Sequence, residues 1–129
     1  SLAGEIHGLK VLKADIADAA HNTTRFLVFA REPDDAAPED GPCMTSFVFR
    51  VRNVPAALYK AMGGFATNGV NMTKLESYMV DGTFSATQFY ADIEGHPDDA
   101  SVRRALEELD YFTSSMTLLG VYPADPRRH

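Results

Sequence analysis

The chain has 129 residues, of which 45% are hydrophobic and 23% charged, and its formal net charge is −6. This composition is typical of a soluble globular protein, and the length provides for one hydrophobic core rather than two. A nucleic-acid surface needs clustered lysine and arginine to displace counterions from phosphates. An acidic chain without such a cluster is therefore a poor candidate for that class.

The cysteine count and the length of the apolar runs limit which disulfides, metal sites and cellular locations are expected. Cys43 is the single cysteine, so an internal disulfide is excluded, and four histidines without a second cysteine make no zinc pattern. We expect no metal and no cofactor. No run approaches the roughly 18 apolar residues of a membrane span, and the first residues lack the pattern of a signal peptide. These features predict a cytoplasmic protein.

Residues 1–30 are too few to enclose a core of their own. Asp15–Asn22 is typical of a helical turn, and Thr24–Ala30 is rich in β-branched and aromatic residues, which predicts a buried strand. We expect this part to pack on the later residues, on a partner chain, or on sequence outside this chain.

Residues 31–43 predict a linker. Proline removes backbone donors and restricts the residue before it, so the prolines Pro33, Pro38 and Pro42 argue against any regular element. Between residues 32 and 43 there are five acids and no base: Glu32, Asp34, Asp35, Glu39 and Asp40. Much of the negative charge therefore belongs to a solvated connection, which favours mobility.

Residues 45–69 predict a strand and a helix. Apolar and polar residues alternate from Thr45 to Val51, the period of a half-buried strand. Asn53-Val54-Pro55 predicts the start of a helix, because asparagine is a capping residue and proline suits the first turn. The predicted apolar face of this helix consists of Leu58, Ala61, Met62, Phe65 and Ala66. Asn68-Gly69 is a stop signal.

The remaining elements are a hairpin, a second helix and a last strand. Val70–Met79 and Phe84–Ile93 predict strands joined by a tight turn at 80–83. Asp98 and Asp99 are expected in the first turn of the second helix, where its dipole favours acids. The buried face of that helix is predicted to consist of Val102, Ala105, Leu106 and Leu109. With a last strand at Ser115–Tyr122, the order βαββαβ predicts an α+β, ferredoxin-like antiparallel sheet with both helices on one face.

Two polar features of this unit could hold a small ligand. The first turn of the first helix is expected to offer free N–H groups near Ala56-Ala57-Leu58, and a helix N-terminus is favourable for an anion. The second strand begins with Asn71-Met72-Thr73, whose amide and hydroxyl groups could hold an ammonium. Together they would suit an amino acid, although both features also occur where they serve only the fold.

From residue 9 to residue 123 the sequence resembles the C-terminal part of prephenate dehydratases. The segments that resemble the family's ACT regulatory domain are VPAAL at 54–58, FATNGVNMTKLES at 65–77, YADIEGH at 90–96 and LGVYP at 119–123. IAD at 16–18 and NTTRF at 22–26 resemble the end of the catalytic domain, which carries a Thr-Arg-Phe motif. The resemblance implies a remnant of an α/β catalytic domain at 1–30, an acidic linker at 31–43, an ACT domain at 44–124 and a tail at 125–129.

This resemblance implies an activity for the full enzyme. The family converts prephenate to phenylpyruvate, water and CO2 on the way to L-phenylalanine, which is its feedback inhibitor. Thr24 would be the catalytic hydroxyl that hydrogen-bonds or protonates the departing hydroxyl of prephenate, and Arg25 and Phe26 would shape that site. The family's site lies in a cleft between two lobes, so we expect this chain by itself to be inactive.

In the family, ACT domains pair side by side, as dimers and possibly tetramers, and phenylalanine lies between them. The implied ligand residues are Asn53, Val54, Ala56, Ala57, Leu58, Asn71, Met72, Thr73, Glu76 and Ser77. The usual Gly-Ala-Leu is here Ala56-Ala57-Leu58, and the usual Glu-Ser-Arg-Pro is Glu76-Ser77-Tyr78-Met79. A cation and a rigid proline are thus replaced, and Tyr78 could instead cover the ligand's ring by aromatic packing.

Three other functions remain open at this point. The chain could be an ACT sensor attached to another amino acid enzyme, which the Thr24-Arg25-Phe26 motif argues against. It could be a dimerisation module that binds no amino acid. An RNA-recognition domain shares the βαββαβ order, but a pI near 5.1 and the absence of a basic-glycine-aromatic run on the third strand argue against it.

Overall fold

The computed structural model describes residues 2–20, 23–52, 54–80 and 87–128. The described elements are α1 (Leu2–Ile6), a 3-10 helix (Pro38–Asp40), β1 (Cys43–Val51), α2 (Ala57–Thr67), β2 (Met72–Met79), β3 (Thr87–Glu94), α3 (Ala100–Phe112) and β4 (Thr113–Pro123). The predicted cap Asn53, residues 81–83 of the predicted turn and the predicted start of β3 lie outside the described residues. None of the described helices is long and apolar enough to cross a membrane.

The four strands form one antiparallel sheet in the order β2-β3-β1-β4, so β2 and β4 lie at its edges. The predicted ferredoxin-like order βαββαβ is confirmed. The two ends of the sheet are defined by the paired rows Thr45–Ile93–Met72 and Arg50–Gln88–Tyr78. We call them the Thr45 end and the Arg50 end. Helix α2 begins beyond the Arg50 end, because it follows β1 in the chain.

The hydrophobic core lies between one face of the sheet and the helices α2 and α3. Its buried members are Phe47, Phe49, Ala61, Phe65, Val70, Phe89, Ala91, Ile93, Val102, Ala105, Leu106 and Leu109. The predicted buried face of α3 is confirmed in full. On α2, Leu58 and Met62 are half-buried as partners of the core, whereas Ala66 is exposed and the prediction for it was wrong. The opposite face of the sheet carries neither α2 nor α3, and we call it the open face.

The start of α2 differs from the prediction and its end does not. The helix begins at Ala57 rather than at Pro55, after a turn in which the Ala57 amide donates to the Val54 carbonyl at 3.2 Å. Ala56 stands before the helix with φ +59°, in the left-handed region. At the other end Gly69 has φ +67° and the Val70 amide donates to the Phe65 carbonyl, so the predicted stop is confirmed.

Helix α3 also begins later than predicted. It starts at Ala100, and Asp99 is its N-cap residue, so Asp98 and Asp99 precede the first turn instead of lying in it. The Asp99 carboxylate accepts a hydrogen bond from the His96 amide at 2.9 Å. Asp99 therefore fixes the Gly95-His96 turn that leads into the helix.

The part before residue 31 departs most from the sequence predictions. Residues 15–20 form no helix, and Thr24–Ala30 is irregular and exposed instead of being a buried strand. The side chains of Phe26 and Val28 are 85% and 97% exposed. Strand propensity reports how well a residue fits a pleated, half-buried surface, and this segment pairs with no described strand.

The predicted linker is held along β4. The Ala36 amide donates to the Val121 carbonyl at 2.9 Å, and the Val121 amide donates to the Asp35 carboxylate at 3.2 Å. The Ala36 carbonyl is 2.8 Å from Nε2 of the buried His96. Contrary to the expectation of no regular element, residues 38–40 form a 3-10 helix, in which a proline is tolerated at the first position.

We expect Ala56→Gly to raise the free energy of unfolding by about 1 kcal/mol, because glycine has no Cβ to oppose the left-handed conformation. Denaturant titration followed by circular dichroism measures this. Ala66→Gly is the matched control inside α2 and should lower the free energy of unfolding by about 1 kcal/mol. Equal destabilisation by both substitutions would contradict the assigned backbone conformation of Ala56.

Candidate ligand site and the Thr24 segment

The turn before α2 carries the first group of predicted ligand residues. Val54 and Ala56 are exposed, Ala57 is buried and Leu58 is half-buried. The Ala57 amide is already bonded to the Val54 carbonyl, so it is not the free donor that the sequence suggested. The turn still presents an apolar, accessible surface at the positive end of an eleven-residue helix.

The start of β2 carries the second group. Asn71 is exposed, and its backbone carbonyl accepts a hydrogen bond from the Glu94 amide at 2.9 Å. The register shifts between Met72 and Lys74, and Thr73 lies in that irregularity. Arg128, from the predicted tail, donates to the Thr73 hydroxyl at 3.0 Å. The sequence reasoning missed this cation, because the tail has no pattern that links it to β2.

Further along β2, Glu76 is held by its neighbours on the open face. Tyr78 donates to the Glu76 carboxylate at 2.5 Å, and Lys74 pairs with it at 3.0 Å. Both contacts lower the pKa of Glu76, and the hydrogen bond from Tyr78 has the larger effect. The hydrogen bond to the Glu76 carboxylate in turn raises the pKa of Tyr78. The Tyr78 hydroxyl therefore lies beside the Glu76 carboxylate on the open face.

The two groups of predicted ligand residues lie at opposite ends of the sheet. Met72 belongs to the Thr45 end, whereas the turn at 54–56 follows the Arg50 end. From Met72 to Tyr78 the strand rise alone amounts to about 20 Å. One chain does not bring the two groups together.

A cleft of about 350 Å³ lies at the Thr45 end and contains one of the predicted residues, Asn71. Its other lining residues are Pro38, Gly41, Pro42, Cys43, Gly69, Glu94, Gly95, His96 and Asp99. The acids in this lining favour a cationic group over an anionic one. Burial raises the pKa of the Cys43 thiol, which donates to the Gly41 carbonyl at 3.3 Å, so this cysteine is kept as a thiol.

The Thr24 segment reaches the open face of the sheet through Arg25. Thr24 itself is exposed, while Arg25 pairs with the Asp92 carboxylate through Nη1 and donates to the Tyr122 hydroxyl through Nη2. The Asp92 side chain is 0% exposed. A charged group from outside the sheet thus meets a buried carboxylate within it.

Three hydroxyl groups complete the surroundings of Asp92. Ser46 and Tyr90 donate to its Oδ1 at 2.5 and 2.7 Å, and Ser46 Oγ lies 2.9 Å from the Tyr122 hydroxyl. We call Ser46, Tyr90, Asp92 and Tyr122 the Asp92 cluster. Burial raises the pKa of Asp92, but hydrogen bonds from Arg25, Ser46 and Tyr90 outweigh it, and the pKa lies below its usual value.

Sequence reasoning did not assign a role to this cluster. The only trace of the cluster in the sequence is the alternation that places polar residues at 90 and 92 of β3. In the sheet, residue 92 lies opposite the polar residue 46 of β1. That pattern marks one face of a sheet but does not indicate which strands are neighbours. The pairing of β1 with both β3 and β4 is what gathers the four side chains.

Comparison with known proteins agrees with this architecture. The family profile described as prephenate dehydratase matches residues 1–34. A curated relative from Komagataeibacter europaeus, a bifunctional N-acyl-homoserine lactone acylase/prephenate dehydratase, is 54% identical over 99% of this chain and 46% of its own length. A solved structure described as GqqA, a novel type of quorum quenching acylase, is 54% identical with a TM-score of 0.68, over 77% of this chain and 52% of that one.

A third comparison concerns a liganded structure. The prephenate dehydratase of Arthrobacter aurescens in complex with L-Phe matches with a TM-score of 0.59 and 26% identity, over 72% of this chain and 30% of that one. The strand order and the element order define a ferredoxin-like domain, which is consistent with an ACT-like fold. These matches support a fragment of a prephenate dehydratase, to which the chain is similar over nearly its whole length. It spans less than half the length of the curated relative from Komagataeibacter europaeus.

We expect Asp92→Asn to lower the free energy of unfolding at pH 7 by about 2–3 kcal/mol, because charge-assisted hydrogen bonds are lost at a buried site. The folded-state pKa of Asp92 is lowered, so this stabilisation is full above the pKa of the unfolded chain and is lost as pH falls through the folded-state pKa. The difference between wild type and variant should therefore shrink below a pH of roughly 4.

Denaturant titrations between pH 3 and pH 7 measure this difference, and Asp34→Asn is the control at an exposed acid of the linker. A wild-type advantage over Asp92→Asn that stays constant down to the lowest pH would contradict a buried, ionised Asp92.

Proposed function

We propose that this chain is the part of a prephenate dehydratase that binds L-phenylalanine as a feedback inhibitor and that carries Thr24 of the active site. The longer enzyme would be a cytoplasmic lyase that converts prephenate to phenylpyruvate, water and CO2. The Thr24-Arg25-Phe26 motif supports the catalytic part. The L-Phe in the Arthrobacter aurescens relative supports the regulatory part.

The observation that carries the proposal is the separation of the two ligand groups along the sheet. In an antiparallel pairing of two copies about a two-fold axis, the Thr45 end of one sheet lies beside the Arg50 end of the other. The turn at 54–58 of one copy would then approach Asn71-Met72-Thr73 of the second. A ligand between two copies explains why the groups are apart within one chain.

Strand β2 is suited to such pairing. It is an edge strand, and an uncovered edge presents unpaired backbone groups to another chain. Leu75, Tyr78 and Met79 add exposed apolar surface along it. Two sheets joined at β2 would form a continuous eight-stranded layer in a homodimer, which could assemble further into a tetramer.

The chemistry of each end suits one part of an amino acid. The exposed amide of Asn71 and the nearby carboxylate of Glu94 favour an ammonium group. The apolar turn at 54–58 would take the ring, and the N-terminus of α2 favours the carboxylate. Arg128, which donates to Thr73, offers a second partner for a carboxylate. Glu76 and Ser77 lie between the two ends on the same strand.

In the proposed reaction Thr24 would hydrogen-bond or protonate the hydroxyl that leaves prephenate. The exposure of Thr24 in this chain supports a site completed by sequence outside it, since positioning substrate and excluding water require surrounding walls. The chain alone is therefore expected to bind an effector without catalysing the reaction.

Isothermal titration of L-phenylalanine into this chain, with sedimentation in the same buffer, should give about one ligand per chain and a dimer. Asn71→Ala should weaken the binding by about 10- to 100-fold, because a hydrogen bond to a charged ligand group is worth about 1.5–3 kcal/mol. Ser115→Ala on β4 is the control and should bind as wild type does.

Other results of the same titration would favour the other functions. A dimer that gives no heat with any aromatic amino acid would leave a dimerisation module. Heat with a different amino acid and none with L-phenylalanine would indicate a sensor for that amino acid, and the proposal as stated would be wrong.

We expect Tyr78→Ala to weaken L-phenylalanine binding several-fold and Tyr78→Phe to retain it, since the ring rather than the hydroxyl would cover the ligand. The Phe variant also removes the hydrogen bond to Glu76, which separates packing from that contact. Unchanged affinity in the Ala variant, measured by the same titration, would rule out a role for Tyr78.

A further inference from the structure

Arg25 is the charged group that compensates Asp92. Ser46 and Tyr90 donate to Oδ1 of Asp92, whereas the Arg25 guanidinium pairs with Oδ2. The second half of the guanidinium donates to Tyr122, so both of its terminal nitrogens bind the Asp92 cluster. A buried carboxylate that loses its cation is strongly destabilised. The Asp92 cluster is therefore a binding site for the guanidinium group of Arg25.

The residue next to Arg25 is Thr24. A planar guanidinium bound through two nitrogens has a fixed orientation, in contrast to a lysine ammonium. Its backbone, and with it the adjacent Thr24, is restrained relative to the sheet although the flanking Phe26 and Val28 are exposed. The restraint acts across 67 residues of sequence, from Arg25 to β3.

The Asp92 cluster is also continuous with β2. The Thr73 hydroxyl lies 3.4 Å from the Asp92 carbonyl. Lys74 lies over the Tyr90 ring, 5.7 Å from its centroid, and pairs with Glu76. Thr73, which the proposed function assigns to the effector, thus contacts Asp92 directly. Lys74, the partner of Glu76, contacts Tyr90, which donates to Asp92.

We infer that Asp92 is a positioning residue, which orients Thr24 through Arg25 and couples the effector strand β2 to the catalytic segment. This inference rests on the proposed function. Binding of L-phenylalanine to β2 would change the hold of the Asp92 cluster on Arg25 and thereby the placement of Thr24. Allosteric inhibition requires two such states with different affinity for the effector.

The first experiment uses this chain and does not depend on catalysis. The backbone 15N order parameters of residues 23–28 should fall in Asp92→Asn, because the segment loses its partner in the sheet. The control is Asp125→Asn, which removes the exposed ion pair with Arg127 and should leave these order parameters unchanged. Unchanged order parameters in Asp92→Asn would overturn the inference.

The second experiment uses the full-length enzyme that contains this chain. Asp92→Asn should lower kcat by about 10- to 100-fold with KM within about twofold, since a misplacement of a catalytic group by about 1 Å has a cost of that order. L-phenylalanine should still bind by calorimetry but no longer inhibit the residual activity. A kcat equal to that of wild type would overturn the inference.

A milder variant guards against loss of folding. Tyr122→Phe keeps the buried carboxylate and removes the hydroxyl that accepts from Arg25. It should retain the wild-type circular dichroism and reduce kcat less than Asp92→Asn does. If Asp92→Asn unfolds and Tyr122→Phe has wild-type kcat and wild-type inhibition, the positioning role is wrong.

The two proposals fail in different ways. A wild-type full-length enzyme without activity on prephenate would refute the proposed function, while the order-parameter experiment still decides whether Asp92 holds the Thr24 segment. An active and inhibited enzyme whose Asp92→Asn variant is equally active and equally inhibited would refute the inference alone.

Discussion

The burial of the Asp92 carboxylate constrains the whole open face of the sheet. An ionised group with no exposure requires compensating donors, and these come from β1, β3 and the segment before the linker. The compensation is complete among the described residues, whose buried side-chain polar atoms all have a partner. The open face thus combines a polar, ordered centre with an edge at β2 that pairs with no further strand among the described residues, whereas the other face is an ordinary apolar core.

The helix-covered face of the sheet forms the apolar core, and the open face carries the polar Asp92 cluster. Phe47, Phe49 and Phe89 stack on the helix side, with ring centroids 5.3–5.8 Å apart, and fix the register that aligns the strands. That register places Ser46 opposite Asp92 on the other side of the same strands. Since successive residues of a strand point to opposite faces, a slip of one residue would remove both the aromatic packing and the Asp92 cluster.

The sequence predicted what depends on local periodicity and missed what depends on neighbours. The strand and helix order, the α3 face and the Asn68-Gly69 stop follow from patterns within a few residues. The left-handed conformation of Ala56 was missed because alanine, unlike glycine, gives no sequence signal for a positive φ. The exposed Thr24–Ala30 segment was predicted as a strand because its residues have high strand propensity. Propensity does not show whether a neighbouring strand is available for pairing, and this segment has none among the described residues.

The linker along β4 also has a consequence for polymerisation. A sheet with two free edges can add copies head to tail and grow into a filament, whereas a sheet with one free edge can only close into a pair. Asp35 and Ala36 occupy both backbone groups of Val121, so another strand could not pair there without displacing them. The acidic segment 31–43 thereby blocks the addition of another strand at the Val121 end of the β4 edge.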